Sequence, residues 1–182
     1  MGTGDGRAVI RAAARQPTTL VIGLDAVADA MANASRRSAR PAARGGVDNA
    51  LFCVAGIEAP PPELIGRGDL VTVRFPWGSL LRGVLGIDRQ ARAGLASLVA
   101  SSGSVDALVS VEDRDGLPDL LHTTDDRTRL AEAWRAEGFV VDDLRLAGEE
   151  EVAASGSTWA RRLGAASAGR RRIVRFRLSR LP

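Results

Sequence analysis

Three short stretches of the sequence hold residue types that bind ligands. The first is the glycine-rich loop Gly2–Gly6 (GTGDG), which leads directly into a helical pattern at Arg7. Glycines let a backbone turn tightly and approach a ligand closely, and the N-terminus of the following helix offers free N–H groups. Most such loops are plain turns, so this loop indicates a ligand site only in combination with other residues.

Two carboxylates follow at positions that suit a nucleoside. Asp25 closes the apolar run "LVIGLD" about twenty residues after the glycines, where an acid can accept hydrogen bonds from both ribose hydroxyls. Gly56, Ile57 and Glu58 lie in "VAGIEAP", after the next apolar run, and Glu58 can contact an adenine there. Asp25 as a helix N-cap and Glu58 as a surface carboxylate are the competing interpretations. The combination predicts a nucleoside-containing cofactor, and the G-x-G-x-G spacing favours S-adenosylmethionine over NAD.

The third stretch is "RFPWGSLL", in which Pro76 and Trp77 follow a strand pattern. In open α/β sheets, ligands lie beyond the carboxyl ends of the strands, so this pair should lie beside the reactive end of the cofactor. A rigid proline followed by a large flat ring can serve as a stacking platform for an unstacked base. Packing of Trp77 under the helix pattern that follows is the competing structural interpretation.

Charge is distributed unevenly along the 182 residues, although the net charge is only +3. All 25 basic residues are arginines. Eight of them, with no acid, lie between Trp159 and the C-terminus, whereas Glu112 to Glu151 holds 13 acids against five arginines. This asymmetry predicts an anionic partner for the C-terminal segment. A second cluster without acids consists of Arg36, Arg37, Arg40 and Arg44.

Cysteine and histidine are nearly absent, which limits the chemistry. Cys53 is the single cysteine, so no internal disulfide can form, and its apolar surroundings predict a buried thiol. His122 has no cysteine or histidine neighbours with the spacing of a metal site, and we expect no metal. No signal peptide and no apolar run of membrane-spanning length is visible, so we expect a cytoplasmic protein without membrane contact.

Apolar runs alternate with helical patterns, which predicts one α/β domain over residues 1–182, with a mostly parallel sheet and helices on both faces. Two breaker-rich stretches, "RSARPAARGGVDN" and "AGEEEVAASGS", are interpreted as linkers. The predicted strands are Thr18–Leu24, Ala50–Ala55, Leu70–Phe75, Ala107–Val111, Phe139–Leu144 and Arg172–Leu178. The predicted helices are Arg7–Arg15, Ala26–Ala39, Ser79–Leu85, Arg89–Ser101, Asp126–Glu137 and Ser157–Leu163. Trp134 and Leu130 share a helix face at i, i+4 spacing, so Trp134 is expected to pack in the core.

The chain resembles the aminoglycoside-resistance 16S rRNA methyltransferases that modify N1 of the decoding-site adenine. The resemblance covers nearly the whole chain, through "GTGDGR", "NALFCVAGIEAPPPEL", "VTVRFPWGSLLRGVLG" and "STWARRLG". It implies a Rossmann-like, seven-stranded class I methyltransferase that binds S-adenosylmethionine through Gly2, Gly4, Asp25 and Glu58. It also implies a monomer that acts on 16S rRNA in the 30S subunit.

The resemblance further implies roles for the tryptophans and the arginines. Trp77 and Trp159 would sandwich an adenine flipped out of the rRNA, and Ser157 would help to hold the loop of Trp159. Adenine N1 carries a nucleophilic lone pair, so no general base is needed, and positioning with base extrusion carries the catalysis. The residues expected to meet rRNA phosphates are Arg36, Arg37, Arg40, Arg162, Arg170 and Arg171.

The chain departs from this family at its beginning, because members precede the glycine-rich loop with a hairpin and an apolar strand. Here Met1 stands directly before the loop. We expect either a start upstream of Met1, with the chain as given folding poorly, or a truncated remnant that binds RNA without turnover. Two rival activities would use the same fold. A tRNA (guanine-N7) methyltransferase would carry a characteristic P-D-P-W-P segment, which is missing, and a small-molecule methyltransferase would not need the arginine-rich C-terminus.

Overall fold

The computed structural model describes residues 1–111, 123–158 and 172–181. Two 3₁₀ turns, at Ala42–Arg44 and Pro62–Leu64, interrupt the loops around the second strand. The helices are α1 (Arg7–Arg15), α2 (Ala28–Ser38), α3 (Gly78–Val84), α4 (Arg89–Leu98), α5 (Thr124–Arg135) and α6 (Glu149–Ala154). The strands are β1 (Val21–Asp25), β2 (Ala50–Val54), β3 (Gly68–Arg74), β4 (Val99–Val111), β5 (Phe139–Leu146) and β6 (Arg172–Arg180).

The strands of the described residues form two sheets. Parallel β1 and β2 make one sheet, and the other has the order β3-β4-β6-β5, with β3 and β4 parallel and β6 antiparallel to both of its neighbours. Between the two sheets runs the N-terminal segment. The Met1 amino group donates to the Thr72 carbonyl of β3 (2.9 Å), and the Thr3 amide donates to the Leu24 carbonyl of β1 (3.3 Å).

The main core lies on one face of the four-stranded sheet, beneath α3, α4 and α5. Its largest member is the fully buried Trp134, whose ring meets the Phe139 ring edge-on at 5.6 Å between centroids. The indole N–H donates to the Val84 carbonyl at 3.0 Å, so its only polar atom is satisfied. The predicted packing role of Trp134 is therefore confirmed.

A smaller core joins α1 to the two-stranded sheet. Val9 and Ala13, one turn apart on α1, pack on Ala50 of β2, with Phe52 beside them. Gly6, the last residue of the glycine-rich loop, lies very close to α2. A Cβ at Gly6 would lie 2.4 Å from the Ala34 Cβ. Helix α1 is therefore held close to α2 and to the sheet at the point where the loop begins.

Polar side chains dominate the opposite face of the four-stranded sheet. Arg74 of β3, Asp106 of β4 and Arg175 of β6 form ion pairs there, with Asp106 accepting from both arginines. Helix α6 adjoins this face through Glu151, which pairs with Arg175. Alternation along each strand sends one set of residues to the core and the other to this face, where Leu108 and Ile173 lie beside the ion pairs.

The predicted α/β class and the alternation of elements are confirmed, and α1 has the predicted bounds. Helix α4 ends at Leu98, where the prediction continued to Ser101, and β4 begins at Val99 rather than at Ala107. The stretch "AGEEEVAASGS" is not a linker throughout, because Glu149–Ala154 is helical. Cys53 is only half-buried, since the edge strand β2 has few neighbours on that side. None of the helices in the described ranges is long and apolar enough to cross a membrane.

Candidate cofactor and base site

A cavity of about 510 Å³ opens beyond the carboxyl ends of β1, β2 and β3. Its volume lies in the range typical of small-molecule sites. The three stretches singled out in the sequence meet there, although they are far apart along the chain. The predicted residues that line the cavity are Gly2, Gly4, Asp25, Gly56, Ile57, Glu58, Pro76, Trp77 and Ser157.

The glycine-rich loop forms the floor of the cavity. Gly2, Gly4 and Gly6 all have positive φ, at 65°, 55° and 70°, a region in which other residues are strained. Three left-handed residues at alternate positions curl the loop so that its backbone faces the cavity. Replacing any of these glycines would therefore change the shape of the floor as well as its bulk.

Asp25 ties the loop to the end of β1. Its Oδ2 accepts from the Gly4 amide at 2.8 Å, and its Oδ1 accepts from the Val27 amide at 3.0 Å. Helix α2 begins at Ala28 and has no side-chain cap, so Asp25 closes a turn before the helix rather than capping it. Each carboxylate oxygen has a second lone pair, which leaves an acceptor for each of two ribose hydroxyls.

Glu58 lies across the cavity from the loop and is half-buried. Gly56 makes room for it, because a Cβ on Gly56 would lie 2.8 Å from Glu58 Oε2. Ile57, between Gly56 and Glu58 in the chain, is buried. The glycine therefore lets the carboxylate fold back over its own backbone and face the cavity.

Phe75 has an unusual backbone, and Trp77, two residues further on, points outward. It is the only residue other than glycine with positive φ in the described ranges, at 51°. Such a conformation costs about 1–3 kcal/mol and persists where surrounding contacts enforce it. The ring is buried against Leu108, and the Phe75 amide donates to the Leu108 carbonyl at 2.8 Å. Beyond this bend Pro76 is buried and Trp77 is 76% exposed.

This exposure excludes the interpretation that Trp77 packs under the following helix. A large aromatic side chain in solvent at the edge of a cavity has an unused stacking face. Trp77 is the most exposed of the large hydrophobic residues that the structure describes.

Two basic groups, the Met1 amino group and the Arg74 guanidinium, belong to residues that line the cavity. Burial and the nearby Arg74 guanidinium lower the pKa of the Met1 amino group to about 6, and Asp25 acts in the opposite direction. Burial also lowers the pKa of Arg74, while Asp106 favours its charged form. The sequence interpretation missed Arg74, because a charged residue on an alternating strand resembles an ordinary solvent-facing position.

Ala154 at the end of α6 lines another part of the cavity, together with Ser155, Ser157 and Thr158. Val152 of α6 packs with Phe75, so this helix contacts the segment that carries Trp77. The predicted residue Ser157 is half-buried in the cavity wall. Trp159, Arg162, Arg170 and Arg171 lie outside the described residues, as does His122.

The arginine cluster Arg36–Arg44 lies at the C-terminal end of α2 and just beyond it, whereas α2 begins at the edge of the cavity beside Asp25 and Val27. Arg36, Arg37 and Arg40 are exposed, and Arg36 donates to Asn33 Oδ1 at 2.7 Å. These arginines do not line the cavity. They form an exposed basic surface at the far end of the helix.

An α/β fold with a glycine-rich loop and an acid at the end of the next strand defines a nucleotide-like cofactor site of the Rossmann type. Comparisons with known proteins identify the family. Residues 1–177 match the family model described as NpmA, 16S rRNA (adenine(1408)-N(1))-methyltransferase. The chain belongs to this family.

Individual relatives agree with this assignment. A 16S rRNA (adenine(1408)-N(1))-methyltransferase of Escherichia coli is 31% identical over 191 aligned positions, covering 98% of this chain and 84% of the relative. The enzyme of the same name from Streptoalloteichus tenebrarius is 35% identical, covering 90% of this chain and 78% of the relative.

Solved structures show the same fold. A variant of the enzyme of the same name from Catenulisporales acidiphilia, determined with the cosubstrate SAM, gives a TM-score of 0.88 at 30% identity, covering 100% of this chain and 84% of that one. The 16S rRNA methyltransferase KamB gives a TM-score of 0.86 at 32% identity, covering 100% and 86%. The aminoglycoside resistance methyltransferase NpmB1 gives 0.80 at 34% identity, covering 99% and 84%.

Proposed function

We propose that this protein transfers a methyl group from S-adenosylmethionine to N1 of adenine 1408 of 16S rRNA, which confers resistance to aminoglycosides. The observation that carries the proposal is the meeting of the cofactor residues and an exposed tryptophan in one cavity, in a chain of the 16S rRNA (adenine(1408)-N(1))-methyltransferase family. The substrate would be the 30S subunit, and the enzyme would act in the cytoplasm.

The residues of the cavity fit the proposed cofactor. The curled loop Gly2–Gly6 presents backbone to the ligand, Asp25 retains an acceptor for each ribose hydroxyl, and Glu58 faces the cavity where an adenine amine would lie. S-adenosylmethionine supplies an electrophilic methyl group on a sulfonium. Asp25, Glu58 and the loop would bind and orient it, with Gly56 and Ile57 shaping the wall beside Glu58.

The reacting atom of the substrate needs little help from protein groups. Adenine N1 carries a nucleophilic lone pair. Its methylation produces a cation and needs no prior loss of a proton. Positioning therefore supplies the rate enhancement, through extrusion and stacking of the base. Trp77 would provide one face of the stack, Pro76 would hold that ring in place, and Trp159 would provide the other face.

Recognition of rRNA would depend on the basic surfaces. Arg36, Arg37 and Arg40 are exposed at one end of α2, and neutralisation of phosphates by such groups produces salt-dependent affinity. Ser157 would help to hold the loop of Trp159, and Arg162, Arg170 and Arg171 would complete the surface from the C-terminal segment.

Primer extension on 16S rRNA tests the proposal directly. Purified 30S subunits are incubated with the protein and S-adenosylmethionine, and reverse transcription follows. N1 methylation blocks Watson–Crick pairing, so we expect a cofactor-dependent stop at adenine 1408. Absence of the stop with protein that is folded and binds S-adenosylhomocysteine would contradict the proposal, and tRNA would be the next substrate to assay.

A charge-reversal series tests the rRNA surface separately. Arg36→Glu with Arg37→Glu should weaken 30S binding and lower its dependence on salt, because each lost phosphate contact reduces the number of released counterions. Arg129→Glu with Arg135→Glu, two exposed arginines of α5, is the matched control. Equal affinity and equal salt dependence in both variants would contradict a role of the α2 arginines.

A further inference from the structure

We infer that Glu151 is a positioning residue for the base side of the cavity. It fixes α6, which packs against Phe75 and leads directly into residues 155–158. We call Pro76–Trp77, which follow Phe75 in the chain, and residues 155–158 the base-side rim. The inference rests on the proposed function, since it names the residue that arranges the rim for the flipped adenine. Glu151 does not itself line the cavity.

Glu151 is held by three groups, two of them shortly before it in the chain and the third on β6. Its carboxylate accepts two hydrogen bonds from Arg145 of β5, each at 2.7 Å, and one from the Gly148 amide at 2.9 Å. Arg175 of β6 donates to Oε1 as well. The bidentate geometry and the charges make these bonds stronger than neutral ones.

The carboxylate also separates two like charges. Arg145 and Arg175 are directly opposite each other in the register of β5 and β6, where like charges are unfavourable. Glu151 lies between them and pairs with both. Arg175 pairs further with Asp106, which holds Arg74 in the cavity wall. The helix is thus attached to an ion-pair chain that reaches the cavity.

The residues after Glu151 transmit this attachment to the rim. Val152 packs in the cluster of Phe75, whose left-handed backbone precedes the buried Pro76 and the exposed Trp77. At the end of α6, the Gly156 carbonyl accepts from Arg11 of α1, the helix that follows the glycine-rich loop. A displaced α6 would therefore disturb both segments of the rim together.

The chain offers its own controls, because Glu149, Glu150 and Glu151 are consecutive on the same helix. Glu149 and Glu150 are exposed and Glu151 is half-buried. Replacing each by glutamine makes the same chemical change in the same helix. In Glu151→Gln, one acceptor oxygen becomes an NH₂ donor that faces an arginine donor. The side chain should therefore move away from the arginines, and α6 should be held less tightly.

The experiment compares the three glutamine variants by their kinetics on 30S subunits and by their affinity for S-adenosylhomocysteine. We expect Glu151→Gln to raise KM for the 30S subunit about tenfold, the scale of losing charge-assisted hydrogen bonds. Its cofactor affinity should stay within about twofold of the wild type, because Glu151 does not line the cavity. Glu149→Gln and Glu150→Gln should match the wild type in both measurements.

Hydrogen exchange adds a readout that does not depend on the reaction. The amides of Gly156 and Ser157 should exchange faster in Glu151→Gln, while those of α4 in the main core should not change. A stability change alone, with KM unaltered in the folded protein, would overturn the inference, and so would equal effects in all three variants.

A second variant covers the case in which Glu151→Gln does not fold. Val152→Ala removes the contact with Phe75 without touching the ion pairs, and it should raise KM for the 30S subunit in the same direction. An unchanged KM with Val152→Ala would then overturn the inference. Failure of the proposed function would instead appear as wild-type protein without methylation, with the exchange pattern still testing the role of Glu151.

Discussion

Two tryptophans occupy opposite environments in this molecule. Trp134 is fully buried in the main core, with its indole N–H bonded to Val84 and its ring against Phe139. Trp77 is 76% exposed at the edge of the cavity, although it lies directly before the helix that contributes Val84 to the same core. The comparison shows that burial separates a residue that stabilises the fold from one that is available to a ligand.

The largest expected effect is the loss of stability when the buried Trp134 is removed. Trp134→Ala should lower the free energy of unfolding by about 3–5 kcal/mol, the usual cost of emptying a buried aromatic site. Urea unfolding followed by circular dichroism measures it. Trp77→Ala in the same assay should show almost no change, and similar losses in the two variants would refute the distinction.

Phe75 is buried and also lies two residues before the exposed Trp77. Its substitution should therefore lower both the stability of the fold and the activity. Phe75→Ala removes a buried ring from a small cluster, with an expected loss of about 3 kcal/mol or less. The same change frees the bend that directs Trp77, so 30S methylation should fall as well. Full activity in the folded variant would show that the Pro-Trp pair holds its direction without this ring.

Trp77→Ala should weaken use of the 30S subunit while leaving cofactor binding intact. Loss of one stacking face costs about 1–3 kcal/mol per base. The measurement is kcat/KM for 30S methylation together with the affinity for S-adenosylhomocysteine. Trp77→Phe keeps an aromatic face and should recover part of the loss, and Leu20→Ala, an exposed apolar residue away from the cavity, is the control.

The smallest effect is a pH dependence of stability that comes from Glu151. Hydrogen bonds from Arg145 and the Gly148 amide, with Arg175, hold the pKa of Glu151 well below its usual range. A lowered carboxyl pKa stabilises the fold above the unfolded value of about 4.3 and loses that contribution as the pH falls below it. The difference in Tm between the wild type and Glu151→Gln should therefore be constant near pH 7 and shrink towards about pH 3. A difference that grows on acidification would contradict this assignment.

Local sequence signals predicted much of the fold. The bounds of α1 were predicted correctly, and β2 begins at the predicted Ala50 and ends one residue before the predicted Ala55. The stretch around Glu149 was misread because serines, glycines and consecutive acids resemble a linker, and the packing of Val152 on Phe75 is a long-range contact without a local signal. The long strand β4 was predicted too short because its first residues, including Ser101, Ser102 and Gly103, are not typical of strands.

Some residues of the candidate site were likewise identified from the sequence, and others were not. Gly4, Asp25, Glu58 and Trp77 were identified from residue type and from their positions after apolar runs, because the carboxyl ends of parallel strands meet at one edge of a sheet. Arg74 and Glu151 were not identified, since an isolated arginine on a strand and one of three adjacent glutamates carry no distinguishing pattern.

The sequence by itself determined the α/β class, the order of the elements and the residues that come to the cavity, because each depends on local spacing and on the alternation of apolar and polar positions. Only the tertiary structure decided that Trp77 is exposed rather than packed under the following helix, which glutamate is paired and which arginine faces the cavity. Those outcomes depend on neighbours distant in the chain. Arg175 lies 24 positions from Glu151 and 69 from Asp106, and no local pattern encodes such a meeting.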